Sequence, residues 1–428
     1  MEGPKKVLRD IFGEEIRTFL IAIVVGAFIS PIILSLPFVI DHVHDITVRI
    51  TELPGGRIWL LIPLLIAGLI MGLVTRKIAP EVEGPGLRVA AEAFHTTKTR
   101  LRKRSGPFKY IATVITLGAG ATTGVVSPSA LIGYSLGSSI AWRLGIDKEN
   151  MKTISLCGMA AAISALLETP LGAAIFAIEI GYRNRILYKR FFHILTSSTV
   201  AFLVSKAIRP KKSLLDITGE VIDPNVPDVL TMVLIAIVVT VLCIIAIRIY
   251  QGFHDRFIRM DWKGYGWLKP AFGFLLAGLL IVVAFPVLTD LGYIGGFSGK
   301  LIELDDINVS KIVLAGIVVL LTSIVITSSG NSGGLLMPIM AFGAIFGVSI
   351  ASIFTTTDPL VFAAVGMAAA IATALNVPLA AAVICMELFG LPVFLPSIIG
   401  SIAGYFIGRR YVIYHEIRWH PSKVDQQR

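Results

Sequence analysis

The stretch GMAAAISALLETPLGAAIFAIEI at residues 158–180 recurs as GMAAAIATALNVPLAAAVICMEL at residues 366–388. A constant offset of 208 residues sets Pro170 opposite Pro378 and Glu179 opposite Glu387. Upstream of each copy stands the same punctuation, G-x3-P-x4-G-x3-G. It is Gly124, Pro128, Gly133 and Gly137 in the first half, and Gly334, Pro338, Gly343 and Gly347 in the second. Alanine-rich composition produces some identity by chance, but two motifs in the same order in both halves indicate internal duplication. The boundary between the halves falls near the polar stretch 209–228.

Composition says what is duplicated. Of 428 residues, 55% are hydrophobic and 15% charged, with a mean hydropathy of +0.81. Soluble domains carry about 25% charged residues. An ordinary soluble enzyme, a nucleic-acid module and a disordered scaffold are excluded, and a polytopic membrane protein is indicated. The net charge of +10 gathers in short clusters between apolar runs. These are Lys98, Arg100, Arg102, Lys103, Arg104 and Lys109; then Arg183, Arg185, Lys189 and Arg190; then Arg256, Arg259 and Lys263; then Arg409, Arg410 and Arg418. They read as cytoplasmic loops facing lipid headgroups, not as a nucleic-acid surface. Residues 290–306, with Asp290, Glu303, Asp305 and Asp306 against one Lys300, read as outside. The linker 209–228 mixes both signs and is not placed by charge.

Candidate spans lie near 17–40, 57–78, 108–142, 153–180, 191–208, 229–251, 268–289, 309–327, 334–354, 359–388 and 392–408. About 20 helical residues cross a bilayer, so the longest of these are expected to break into half-helices, as their glycines and prolines suggest. Residues 1–16 mix Lys5, Lys6 and Arg9 with Asp10, Glu14 and Glu15, and the apolar run that follows is too long for a signal peptide. The organisation expected is a cytoplasmic N-terminal helix (1–16), a first membrane repeat (17–208), the linker (209–228), a second repeat (229–410) and a cytoplasmic tail (411–428). The fold class is all-α and polytopic, an inverted repeat of many broken and tilted helices.

Such a fold places its working site near the midplane, where broken helices of both halves meet. A helix N-terminus offers unpaired N–H groups and about half a positive charge, and Pro suits its first turn. The segments Gly124–Pro128 and Gly334–Pro338 therefore read as loops feeding two helix N-termini toward a shared point, suited to a small anion. Partial charges hold such an ion and let it leave. The alternative, that these glycines only let helices pack closely, rests on the same residue types.

These motifs resemble the CLC family of chloride channels and anion/proton exchangers over almost the whole chain. The family's GSGIP resembles Gly84-Pro85-Gly86-Leu87-Arg88, its GREGP resembles Gly124-Val125-Val126-Ser127-Pro128, and its GxFxP resembles Gly334-Leu335-Leu336-Met337-Pro338. A tyrosine near the end of the family's membrane region is matched by Ile413-Tyr414, with Tyr411 three residues earlier as the other register. The resemblance implies an inverted-repeat subunit in a homodimer, one pore per subunit, with cytoplasmic termini in an inner or plasma membrane. It implies chloride or a similar small anion held at Pro85, Gly86, Val126, Ser127, Leu335, Leu336, Met337 and Tyr414, and no cofactor. With 14 residues after Tyr414, cytoplasmic nucleotide-binding domains are not expected.

Three departures bear on mechanism. The family's gating glutamate falls at Val126, and the inner proton-relay glutamate of exchangers falls at Ile180. Neither side chain titrates, so the resemblance points to passive, uncoupled anion conduction. The alternative is a proton-coupled chloride antiporter with a non-standard relay such as Glu179, although the twinning of Glu179 with Glu387 argues for structural roles. The family's coordinating serine falls at Pro85, which has neither hydroxyl nor N–H. Losing a donor there favours weakly hydrated anions, nitrate among them. Arg88 stands where the family has proline and either attracts anions to the vestibule or snorkels to the interface. Thr327–Ser332 hydrates a vestibule or caps helices. Cys157, Cys243 and Cys385 lack metal-site spacing and read as core. His42, His44 and His95 show no metal-ligand pattern, and no nucleophile or phosphate-loop motif marks an enzyme.

Overall fold

The computed structural model describes residues 4–52, 54, 56–95, 101–180, 188–209, 226–260, 262, 264–290, 309–354 and 359–414. Among them are fifteen α-helices and no strand. The first half holds α1 (Pro4–Thr51), α2 (Leu61–Leu73), α3 (Gly86–His95), α4 (Ser105–Gly118), α5 (Val126–Arg143), α6 (Lys148–Leu167), α7 (Pro170–Glu179) and α8 (Tyr188–Ile208). The second holds α9 (Val226–Arg259), α10 (Lys269–Asp290), α11 (Val309–Ser328), α12 (Leu336–Phe354), α13 (Pro359–Leu375), α14 (Pro378–Phe389) and α15 (Phe394–Gly408). Nine helical segments among the described residues are long and apolar enough to cross a membrane.

The expected breaks are present, and the duplicated stretch explains them. Residues 158–180 cover the end of α6 and all of α7, and 366–388 cover the end of α13 and nearly all of α14. Each pair is separated by two residues, and the first of these, Glu168 or Asn376, is left-handed at φ 59° or 60°. A left-handed residue ends the helix through the backbone alone. Pro170 and Pro378 then open the next helix, where the missing N–H costs nothing. Lys206 meets Glu168 at 2.5 Å and holds the first break from α8. The long glycine-rich span 108–142 also divides, into α4 and α5.

The duplicated glycines divide into two roles. A methyl on Gly133 would overlap the Gly158 carbonyl, and one on Gly343 would overlap the Gly366 carbonyl. Gly137 and Gly347 face the Ile154 and Phe362 carbonyls in the same way. Backbone therefore lies on backbone where α5 crosses α6 and where α12 crosses α13, the small-residue packing of membrane helices. For these four the packing reading is the right one. Gly124 and Gly334 belong to a different place, the loops ahead of α5 and α12.

Several readings shift. The N-terminal helix is continuous with the first span: α1 runs 48 residues through position 16 and past Pro31 and Pro37. Lys109 does not belong with the cytoplasmic basic cluster, because it is completely buried within α4. Arg102 and Arg104 of that cluster pair with Glu81. The three cysteines are buried. Lys98, Arg100, Arg183, Arg185, Lys263, Lys300, Glu303, Asp305, Asp306, Arg418, the linker over 210–225 and the tail over 415–428 lie outside the described residues.

Backbone contact at the glycine crossings leaves no room for relaxation. Gly343→Val is expected to lower the thermal unfolding temperature of the detergent-solubilised protein, costing at least the ~1–3 kcal/mol typical of overpacking. The same change at Gly252, where nothing lies within 4 Å of an added Cβ, should cost no more than the helix propensity difference.

Candidate anion pathway

The two repeats meet through the loops that precede α5 and α12. The Gly124 N–H donates to the Gly334 carbonyl at 2.9 Å. The Thr123 hydroxyl donates to the same carbonyl at 3.0 Å and accepts the Gly334 N–H at 3.0 Å. A methyl on Gly124 would crowd Met337 and Pro338, and one on Gly334 would overlap Ser127. The glycines thus permit contact between the loops themselves. Behind them, the Thr122 and Thr322 hydroxyls pair at 2.6 Å and the Ser323 hydroxyl donates to the Thr122 carbonyl at 2.8 Å.

Each loop ends in a helix N-terminus with the same pattern of free amides. The first intrahelical bond of α5 runs from Ser129 N–H to the Val125 carbonyl, and that of α12 from Ile339 N–H to the Leu335 carbonyl. This leaves the N–H groups of Val126 and Ser127 on one side, and of Leu336 and Met337 on the other, without an intrahelical acceptor. Pro128 and Pro338 have no N–H to lose. No side chain caps α5. Val126, Ser127, Leu335, Leu336 and Met337 are all buried, so two positive helix ends converge inside an apolar body.

The first-motif loop closes a third side. Gly84, at φ 66°, donates to the Gly330 carbonyl at 3.3 Å, and Pro85 bridges in parallel to Gly333. A methyl on Gly86 would overlap the Ser127 carbonyl, which seats the start of α3 directly against the second motif. The buried Lys109 holds the loop from beneath, its Nζ donating to the Val82 carbonyl at 2.8 Å and the Gly84 carbonyl at 2.6 Å. The Thr113 and Ser332 hydroxyls, 3.0 Å apart, tie α4 to the third-motif loop as well.

Tyr414 closes the fourth side. The Ile413 N–H donates to the Ala374 carbonyl at 3.0 Å, anchoring the chain end to the last turn of α13. Tyr414 is buried against Tyr250, edge to face at 6.3 Å, and its hydroxyl is aimed at Ser127 and the Leu335 backbone. The Ser127 hydroxyl is buried and completes no hydrogen bond among the described residues. Tyr411 instead lies beside Arg248, 4.9 Å from its ring centroid. Of the two registers, Tyr414 is the one brought to the convergence. The structure thus gathers Pro85, Gly86, Val126, Ser127, Leu335, Leu336, Met337 and Tyr414 around one point.

A family model described as "Voltage gated chloride channel" matches residues 67–409. The chain belongs to that family. Its curated relatives include a chloride/fluoride channel protein of Pseudomonas syringae pv. tomato, 27% identical, covering 94% of this chain and 86% of the relative. An H(+)/Cl(-) exchange transporter of Vibrio campbellii is 22% identical, covering 90% and 86%. Among solved structures, a slow cyanobacterial Cl-/H+ antiporter superposes with a TM-score of 0.80 at 20% identity, covering 92% of this chain and 94% of that one. A CLC-type fluoride/proton antiporter gives 0.80 at 19%, covering 95% and 99%. The protein is accordingly a multi-pass integral membrane protein with the CLC fold.

Against that CLC frame the acidic residues sort clearly. Glu387 accepts the Leu171 and Gly172 N–H groups at 2.9 and 2.7 Å, and Glu179 accepts those of Leu379 and Ala380 at 3.2 and 2.8 Å. Each twin carboxylate therefore caps the short helix of the other repeat, with both oxygens engaged. Val126 is fully buried as the first residue of α5, and Ile180 is buried where α7 ends. α7 itself packs on α6, α8 and α14. Lys109 and Thr123 are the working residues that sequence pattern missed. A lysine inside the apolar span 108–142 was the available signal, since an intramembrane cation is a functional suspect.

Lys109→Met would leave two buried carbonyls unsatisfied, at about 1–3 kcal/mol each. We expect a lowered unfolding temperature and reduced anion flux, because the first-motif loop loses its support. Glu387→Gln, which weakens a cap but keeps its shape, should cost about 1 kcal/mol and leave flux largely intact.

Proposed function

We propose that the protein conducts chloride and similar small anions passively, through a pathway at the convergence of α3, α5, α12 and Tyr414, without moving protons. The observation that carries this reading is Val126. At the N-terminus of α5, against the amides that would hold an anion, the chain puts an aliphatic side chain that neither titrates nor competes for the site. Ile180 removes the second proton position in the same way. The engagement of both Glu179 oxygens by α14 argues against its service as a substitute relay, since a proton carrier must exchange its partners.

Pro85 contributes no hydroxyl and no N–H to the ring of donors. A weaker ring retains strongly hydrated anions less well, which supports nitrate as a second permeant ion. The names of relatives include chloride/fluoride and fluoride/proton transport, so fluoride belongs in any flux comparison. A homodimer with one pathway per subunit in a cell membrane, both termini cytoplasmic, completes the proposal.

The decisive measurement is anion efflux from proteoliposomes with external pH recorded. Chloride is expected to leave at a rate that electrical shunting accelerates, with no accompanying proton uptake. Uphill proton movement driven by a chloride gradient would overturn the passive reading in favour of an antiporter. In the same vesicles, Val126→Glu should make flux pH-dependent. An ionised carboxylate next to the α5 amides competes with the anion and its protonated form does not, so flux should rise as pH falls. A flat profile would argue against placing Val126 on the pathway.

A further inference from the structure

Tyr414 stands on irregular backbone. Helix α15 ends at Gly408, and residues 411–414 run on to the convergence without regular structure. Such backbone is tolerated at membrane depth only where the surrounding protein takes it up. A helix holds its side chains through its own ladder of hydrogen bonds, whereas this segment has to be held from outside. One tie comes from α13, through the Ile413 N–H and the Ala374 carbonyl. The others come from one short stretch of α9.

Arg248, Tyr250 and Gln251 engage three of the four residues 411–414. The Arg248 guanidinium lies 4.9 Å from the Tyr411 ring centroid. The Gln251 side-chain amide donates to the Val412 carbonyl at 3.0 Å. The Tyr250 ring meets the Tyr414 ring edge to face, at 6.3 Å and 84°, an arrangement that aromatic pairs prefer. Tyr250 is itself buried and stacked on His254, one turn further along α9, at 5.6 Å and 11°. Its ring is therefore oriented by its own helix as well as by Tyr414. α9 in turn packs on α12 and α13, and the Cys243 thiol reaches the Ala370 carbonyl at 3.6 Å. The helix that holds Tyr414 thus rests on the helix whose N-terminal amides face the convergence, and on the helix that anchors Ile413.

We propose that Tyr250 and Gln251 are positioning residues of the anion pathway. Together they clamp the segment 411–414 so that the Tyr414 hydroxyl stays at the convergence, and they thereby set how strongly the pathway retains chloride. This rests on the pathway proposed above, with Tyr414 as one of its donors. Both residues act through Tyr414 and not on the ion itself. The physical reason is leverage. A phenol hydroxyl sits at the tip of a rigid ring, so a small tilt of the ring displaces it, and a hydrogen bond weakens steeply once its angle or length departs from the ideal.

The test reads the chloride concentration that gives half-maximal flux through proteoliposomes. Tyr414→Phe deletes the donor and should raise that concentration about tenfold, the equivalent of one hydrogen bond to a charged group. Tyr250→Leu and Gln251→Leu should each raise it several-fold without lowering the maximal flux. Tyr250→Phe keeps the ring and should behave as the wild type; a loss equal to that of Tyr250→Leu would rule out positioning by the ring. Combined with Tyr414→Phe, neither leucine substitution should raise the value further. A further rise as large as in the wild-type background would mean that they act independently of Tyr414, and would sink the proposal while leaving the pathway intact. So would single variants that match the wild type. An unchanged value for Tyr414→Phe would instead remove Tyr414 from the pathway, and absence of wild-type flux would overturn the pathway itself; the proposal falls in either case. Should Tyr250→Leu fail to fold, Gln251→Leu decides alone, since Gln251 is half-buried and the change removes one hydrogen bond at similar bulk.

Discussion

The contact between Gly124 and Gly334 is the constraint from which the rest of the site follows. One loop from each repeat comes to the other at backbone distance, with Thr123 supplying both a donor and an acceptor to Gly334. Once those loops touch, the helices they open must begin side by side. Two sets of unpaired amides then face one small volume in an apolar surround. A side chain at either glycine would separate the loops and disperse the positive potential. The duplication matters for this reason: equivalent loops bring equivalent dipoles, and the site is built by meeting.

A membrane interior penalises every unsatisfied polar group, and the structure answers with local pairings that cross between repeats. The twin glutamates show the principle most plainly. Each broken helix pair creates a new N-terminus at Pro170 or Pro378, and each is capped by the carboxylate of the opposite repeat. The same economy explains Lys109, whose ammonium satisfies carbonyls that the first-motif turn leaves without partners. By contrast, the buried Ser127 hydroxyl, aimed at by Tyr414, completes no such pairing. That hydroxyl leaves hydrogen-bonding capacity open beside the two helix ends.

Legibility in the sequence followed the type of interaction. The breaks at 168–169 and 376–377 were readable because proline and a repeated register act through the local backbone. The gathering of three motifs was readable from their order and their resemblance to a family. The division of the glycines into packing positions and loop-contact positions was not, because both uses require only a missing Cβ. Lys109 was misassigned for a related reason. A lysine at the second position of the apolar span 108–142 has the pattern of an interfacial anchor, and only its partners, the carbonyls of Val82 and Gly84, reveal it as an internal strut.

By itself the sequence determined that this protein is a duplicated, helical membrane protein with broken helices, and that no titratable side chain stands at positions 126 and 180. Those facts are local or periodic, and each is carried by residues near one another in the chain. Only the tertiary structure decided that Tyr414 and not Tyr411 meets the motifs, that Glu179 and Glu387 cap each other's repeats, and that Lys109 supports the first-motif loop. Each of these joins groups distant in the chain, and their meeting depends on how the two repeats pack, which no local pattern records.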